Sequence, residues 1–155
     1  MRTITLFRIF LLGTLCAVAS FGADNSLGTW KLNVAKSTFS PPQLVKSLTT
    51  RREASGQGVK VTTTGEFTDG TPIESGYSAK YDGTPAPVDG TAWDTISIKQ
   101  VDADTFTTET RRTGGKYHAT AQVKVSADGK TMTVAANGTN VDGKPFSSTS
   151  VYEKQ

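Results

Sequence analysis

Cysteine is almost missing from this chain of 155 residues: its one thiol, Cys16, sits in an apolar N-terminal run. Beyond residue 22 there is none, which excludes disulfides, zinc thiolate sites and cysteine nucleophiles together. Histidine is equally scarce, so any imidazole chemistry would have to use His118. His118 alternates with apolar residues on the same side as Gln122 and Lys124, which predicts an exposed position. Past residue 22 there is no nucleophile elbow, phosphate loop, dinucleotide fingerprint or metalloprotease motif. The chain is therefore read as a binding protein without a cofactor, not as an enzyme. Its acidic residues lack the spacing of a calcium loop, so Asp82, Asp89, Asp94, Asp102 and Asp104 read as turn formers and no metal site is expected.

An excess of charge is also lacking. The chain has 17 Lys and Arg against 14 Asp and Glu, and Arg2 and Arg8 precede residue 22, leaving 15 against 14 in the rest. Such a balance gives no support to nucleic-acid binding.

Met1, Arg2 and Arg8 introduce the apolar run Ile9 to Ala19, followed by Ser20, Phe21, Gly22, Ala23 and Asp24. A charged region, a short apolar region and small residues at the last and third-last positions before a cut after Gly22 match a cleavable signal peptide. The run falls short of the roughly 20 apolar residues that span a bilayer, so no stable membrane insertion is expected once residues 1–22 are removed. Leu15 before Cys16 does not fit a lipoprotein site. Residues 23–155 are predicted to form one domain, exported and either periplasmic or secreted.

In that domain, alternating polar and apolar residues are interrupted by turn dipeptides, the pattern of strands joined in hairpins. Ile73, Ser75, Tyr77, Ala79 and Tyr81 share one parity; so do Tyr117, Ala119, Ala121, Val123 and Val125. Asp69-Gly70, Asp82-Gly83, Asp89-Gly90, Gly114-Gly115, Asp128-Gly129, Asn137-Gly138 and Asp142-Gly143 supply turn chemistry. Strands are predicted near 27–34, 44–54, 58–68, 72–82, 94–101, 104–112, 115–126, 130–137 and 145–153, with the proline-containing stretches 40–42 and 84–87 as loops. No segment has helical periodicity. The fold class is all-β: an antiparallel up-and-down barrel of eight or nine strands, closed so that no edge is left unpaired. A β-sandwich is the alternative.

Gly28-Thr29-Trp30-Lys31-Leu32 in the first strand and Val151-Tyr152-Glu153-Lys154 in the last resemble the opening and closing segments of the calycins, the superfamily of lipocalins and fatty-acid-binding proteins. Asp128-Gly129-Lys130 before a strand fits the fatty-acid-binding branch. The string from Gly28 to Phe39 also resembles a group of uncharacterised exported bacterial proteins. The resemblance implies a lipocalin-like barrel in which Trp30 packs at the closed end beneath a basic residue, here Lys154, with Gly28 completing the motif. It also marks two departures: the stretch 37–46 is too short for a helical lid, and Ser150 stands where fatty-acid binders carry an arginine, while Tyr152 matches their tyrosine. Neutral lipophilic compounds are therefore expected to bind about as well as free acids.

The inward parities give the expected ligand-binding residues: Tyr77, Tyr81, Ile96, Ile98, Phe106, Tyr117, Met132 and Tyr152. The expected ligand is small, lipophilic and mainly apolar. The rival reading is a structural or protein-interaction domain of the cell envelope with a filled core. In Arg51-Arg52 and Arg111-Arg112, adjacent residues face opposite sides of a strand, so one of each pair could look inward. Both pairs lie near predicted strand ends, and a rim position that keeps the charge in water is the expectation.

Overall fold

The computed structural model describes residues 23–155. The predicted signal peptide, Cys16 and the cleavage after Gly22 lie outside the described residues.

Eleven strands are formed: β1 (Gly28–Leu32), β2 (Thr38–Ser40), β3 (Val45–Ser55), β4 (Gly58–Phe67), β5 (Pro72–Lys80), β6 (Ala86–Asp89), β7 (Thr95–Gln100), β8 (Thr105–Arg111), β9 (His118–Val125), β10 (Thr131–Thr139) and β11 (Pro145–Lys154). Their Thr, Val, Ile and Tyr content suits a pleated surface buried on one side. β1 and β3 to β11 pair antiparallel in chain order. The ring closes because β1 pairs with β3 on one side, Trp30 opposite Thr50, and with β11 on the other, Trp30 opposite Lys154. That closure decides against the sandwich. β2 is the extra strand: Phe39 opposes Ser148 on the edge of β11 that β1 uses lower down. A single 3₁₀ turn, Val34–Lys36, separates β1 from β2, and Asn33 caps it by accepting the Lys36 N–H at 3.1 Å.

The closed barrel thus has ten strands, not eight or nine, with β2 beside it. The two unforeseen strands, β2 and β6, have three and four residues and fall between the predicted strands, each overlapping one of the stretches predicted as proline loops. Runs so short carry no readable alternation. Pro87 is tolerated in β6 because that strand makes only two residue pairs with each neighbour, so little of the ladder depends on its missing N–H. Asn137-Gly138 is also reassigned, since it lies inside β10 and makes no turn. A Cβ on Gly138 would sit 2.1 Å from the His118 carbonyl oxygen, so glycine is needed there for the close approach of β9.

The connections 56–57, 81–85, 101–104 and 126–130 gather at one end of the barrel, and 68–71, 90–94, 112–117 and 140–144 at the other. The first end is packed solid by Trp30, Val59, Ile98, Phe106 and Val125, all fully buried. Residues 23–27 run across it and seal it: Asn25 N–H donates to Ala103 O at 3.0 Å, Asn25 Nδ2 to Asp104 Oδ1 at 2.7 Å, and Gln100 Nε2 to Ala23 O at 3.2 Å. Among the described residues no helix is long and apolar enough to cross a membrane.

Candidate functional site

Above the packed end the barrel is hollow. The cavity measures about 340 Å³, within the range of small-molecule sites, and opens toward the second set of connections. Strand alternation builds its wall, because every second residue of each strand points inward. Near the mouth Tyr117 stacks on Phe146 with ring centroids 5.9 Å apart, and Trp93 lies 6.4 Å from the ring of Tyr77, which stands deeper, level with Arg52. Farther in, Val123, Met132 and Val134 of β9 and β10 form an apolar side. They are faced by hydroxyls from Thr63, Ser75, Thr108, Thr110, Ser148 and Ser150. The wall is mixed in polarity, more so than a mainly apolar ligand requires.

Of the eight residues expected to contact ligand, Tyr77, Ile96, Tyr117, Met132 and Tyr152 line this cavity. Tyr81, Ile98 and Phe106 lie in the packed end instead, where Tyr81 and Phe106 have ring centroids 5.1 Å apart. Their parity is inward, but they stand one layer too low to reach the hollow. Phe39, Gln43, Leu48, Trp93 and Phe146 also line it: Leu48 and Phe146 share the inward parity of Thr50 and Tyr152, whereas Phe39, Gln43 and Trp93 lie outside the strands predicted from alternation.

The largest departure from the sequence reading is Arg52. Its parity with Leu48 and Thr50 turns it into the barrel, and it is only 7% exposed. It forms part of the cavity floor. Nε donates to Ser26 Oγ at 3.0 Å, and the guanidinium carbon lies 5.8 Å from the Phe106 centroid. The Ser26 hydroxyl in turn donates to Asp24 Oδ1 at 2.5 Å, and the Tyr81 hydroxyl donates to Asp24 Oδ2. The position of Arg52 near the end of a strand predicts a place at the rim. That rim is roofed by residues 23–27, so the end of the strand is interior. The other three arginines of the two pairs are exposed; Arg51 bonds Glu53 at 3.0 Å and Arg111 bonds Glu109.

The tyrosine hydroxyls around the floor are poor acids. Burial raises the Tyr77 phenol against the opposing pull of Arg52. Burial and the nearby Asp24 raise Tyr81. Burial, helped by Tyr77 and opposed by Thr50, pushes Tyr152 up to about 12.

The terminal motif has a geometric basis. Lys154 Nζ lies 5.0 Å from the Trp30 ring centroid. Gly28, at φ +126°, leaves room for the lysine stem, since a Cβ there would meet Lys154 Cε at 2.9 Å. His118 lies on the outer face, with Nε2 2.8 Å from Glu109 Oε1. Asp82 and Asp102 accept backbone N–H groups two residues on, at 2.8 Å each, as turn formers do. A shallow depression of about 680 Å³ crosses the outer surface of β7 to β10 between Ser97, Lys99, Gln122 and Asn137, and contains no buried charge.

No family model matches the chain, and no curated protein matches its sequence. Among solved structures, it is similar to the S-type phycobiliprotein lyase CPES from Guillardia theta, with TM-score 0.54 and 12% identity over 84% of this chain and 89% of that one. It is also similar to two redesigned β barrels, each bound to DFHBI. mFAP1 gives TM-score 0.45 and 16% identity over 84% and 95% of the two chains; mFAP0 gives 0.44 and 13% over 84% and 100%. The likeness to the lyase is one of fold alone.

Proposed function

We propose that the chain is an exported barrel that binds one small amphiphilic molecule in its interior. The observation that carries this reading is the contrast between the two ends: one is packed and roofed, while the other opens on a cavity of about 340 Å³ lined by side chains in preference to being filled by them. A structural or interaction domain has no need of such a hollow, since filling it would add stability at roughly 25 cal/mol per Å² of apolar surface buried. Binding without catalysis belongs to the same reading, because the one histidine among the described residues pairs with Glu109 outside the barrel.

Nile red, a neutral lipophilic dye that brightens in apolar surroundings, tests the cavity. Ala136→Phe places a ring in the hollow from β10 and should weaken dye binding by about tenfold, at the moderate stability cost of overpacking. Equal binding by both proteins would put the dye on the outer surface and remove the support for an interior site. Absence of dye binding by the unaltered protein would favour the filled-core reading.

Export has its own test. Asp24 and Ser26 hold the closed end, so a signal cut must fall before them for the mature barrel to keep its seal. The N-terminus of protein recovered from the cell envelope is expected between Ser20 and Asp24. Intact Met1, or a start beyond Asp24, would contradict it.

A further inference from the structure

A buried guanidinium normally meets a carboxylate, because an unneutralised charge in a low-dielectric interior costs several kcal/mol. Arg52 does not. Among the described residues it forms no ion pair: Nε donates to Ser26 Oγ, and the guanidinium otherwise meets only the neutral hydroxyls of Tyr77 and Tyr81. Asp24 is the acid nearest in the network, and it reaches Arg52 only through Ser26: its Oδ1 accepts the Ser26 N–H and hydroxyl, and its Oδ2 accepts the Tyr81 hydroxyl. No fully buried side-chain nitrogen among the described residues lacks a hydrogen-bond partner, so the terminal guanidinium nitrogens are those in reach of the cavity that Arg52 lines. An arginine has five N–H donors, and the four on its terminal nitrogens are in fork geometry suited to a carboxylate.

We propose that Arg52, with the hydroxyls of Tyr77 and Tyr152 as neutral donors, forms an anion subsite on the cavity floor that takes the carboxylate head of an amphiphile whose apolar part extends to the mouth. This rests on the reading of the cavity as a ligand site. It reverses the expectation drawn from Ser150, because the cation missing from β11 is supplied by β3. The anion carries a single charge: one guanidinium faces it, the phenols remain neutral, and Asp24 stands behind Arg52 at one remove through Ser26, where it would repel a second negative charge. The far end of the cavity fits the rest of such a molecule, with Trp93, Tyr117 and Phe146 around the mouth.

The test is displacement of Nile red from the protein produced from the full chain, by dodecanoate, methyl dodecanoate and dodecyl phosphate at near-neutral pH. Dodecanoate should bind about tenfold or more tightly than its methyl ester, the size expected of a charge-assisted hydrogen-bonded pair. Dodecyl phosphate should bind no more tightly than dodecanoate. Arg52→Met should abolish the preference for the acid, bringing acid and ester to within about threefold of each other. If that variant does not fold, Tyr77→Phe and Tyr152→Phe serve instead, since each removes one hydroxyl and should reduce the preference severalfold. Equal displacement by acid and ester in the unaltered protein would overturn the subsite and leave the cavity reading standing. Dye that binds but is displaced by none of the three would overturn the subsite too, and dye that does not bind at all would remove the cavity reading with it. A tighter grip on the phosphate would refute the single-charge assignment.

Discussion

Trp30→Ala should lower the free energy of unfolding by about 3–5 kcal/mol, the range for removing a large aromatic side chain from a site that cannot collapse. Trp30 has no exposed surface and stands on β1, the strand that closes the ring, paired on both sides through Thr50 and Lys154. Its indole Nε1 donates to Ser26 O at 2.7 Å, which ties the N-terminal segment to the barrel floor. The substitution therefore leaves a cavity and an unpaired buried carbonyl, and it loosens the serine that holds Arg52. Trp30→Phe keeps most of the volume and drops the hydrogen bond, and should cost less than half as much. Denaturant unfolding of the three proteins reads both effects. A loss under about 1 kcal/mol for Trp30→Ala would show that the closed end is not held through this residue.

Much of the barrel was legible because alternation is a local property. In the nine longer strands alternate residues face inward and outward, and the Asp-Gly and Gly-Gly pairs mark many of their ends. What stayed hidden depends on neighbours distant in sequence. Asn137-Gly138 looks like a turn until His118 is placed against it. Whether an inward residue lines the hollow or fills the floor is set by its height in the barrel, which follows from register and not from parity; hence Tyr152 and Phe106 share a face yet differ in role. Arg52 is the clearest case. The parity of Leu48, Thr50 and Arg52 was present in the chain, but rim and interior could be told apart only once residues 23–27 were seen to cover that end.

Alkaline titration should find the tyrosines of the folded protein ionising above the ordinary phenol value near pH 10. All four tyrosines have inward-facing rings, and burial is the largest cause of the upward shift at each: Tyr77, Tyr81, Tyr117 and Tyr152. A phenol in the unfolded chain loses its proton near pH 10. Where the folded value is raised, the folded state binds more protons, so stability is fully present below the unfolded value and is lost as pH rises through the folded one. For Tyr152, raised to about 12, the window runs from about pH 10 to 12. At about 1.4 kcal/mol per tenfold change in proton affinity, that residue alone removes on the order of 3 kcal/mol across the window. With all four shifted in the same direction, the loss is large against the usual 5–15 kcal/mol stability of a domain. Tyrosinate absorbance should therefore rise in one cooperative step, together with the loss of strand circular dichroism. Tyr152→Phe should move that step to higher pH by removing one of the groups that drives it. Gradual ionisation of two or more tyrosines near pH 10 with the strand signal intact would mean that the interior is open to water, contrary to the packed floor and the phenol-lined cavity described above.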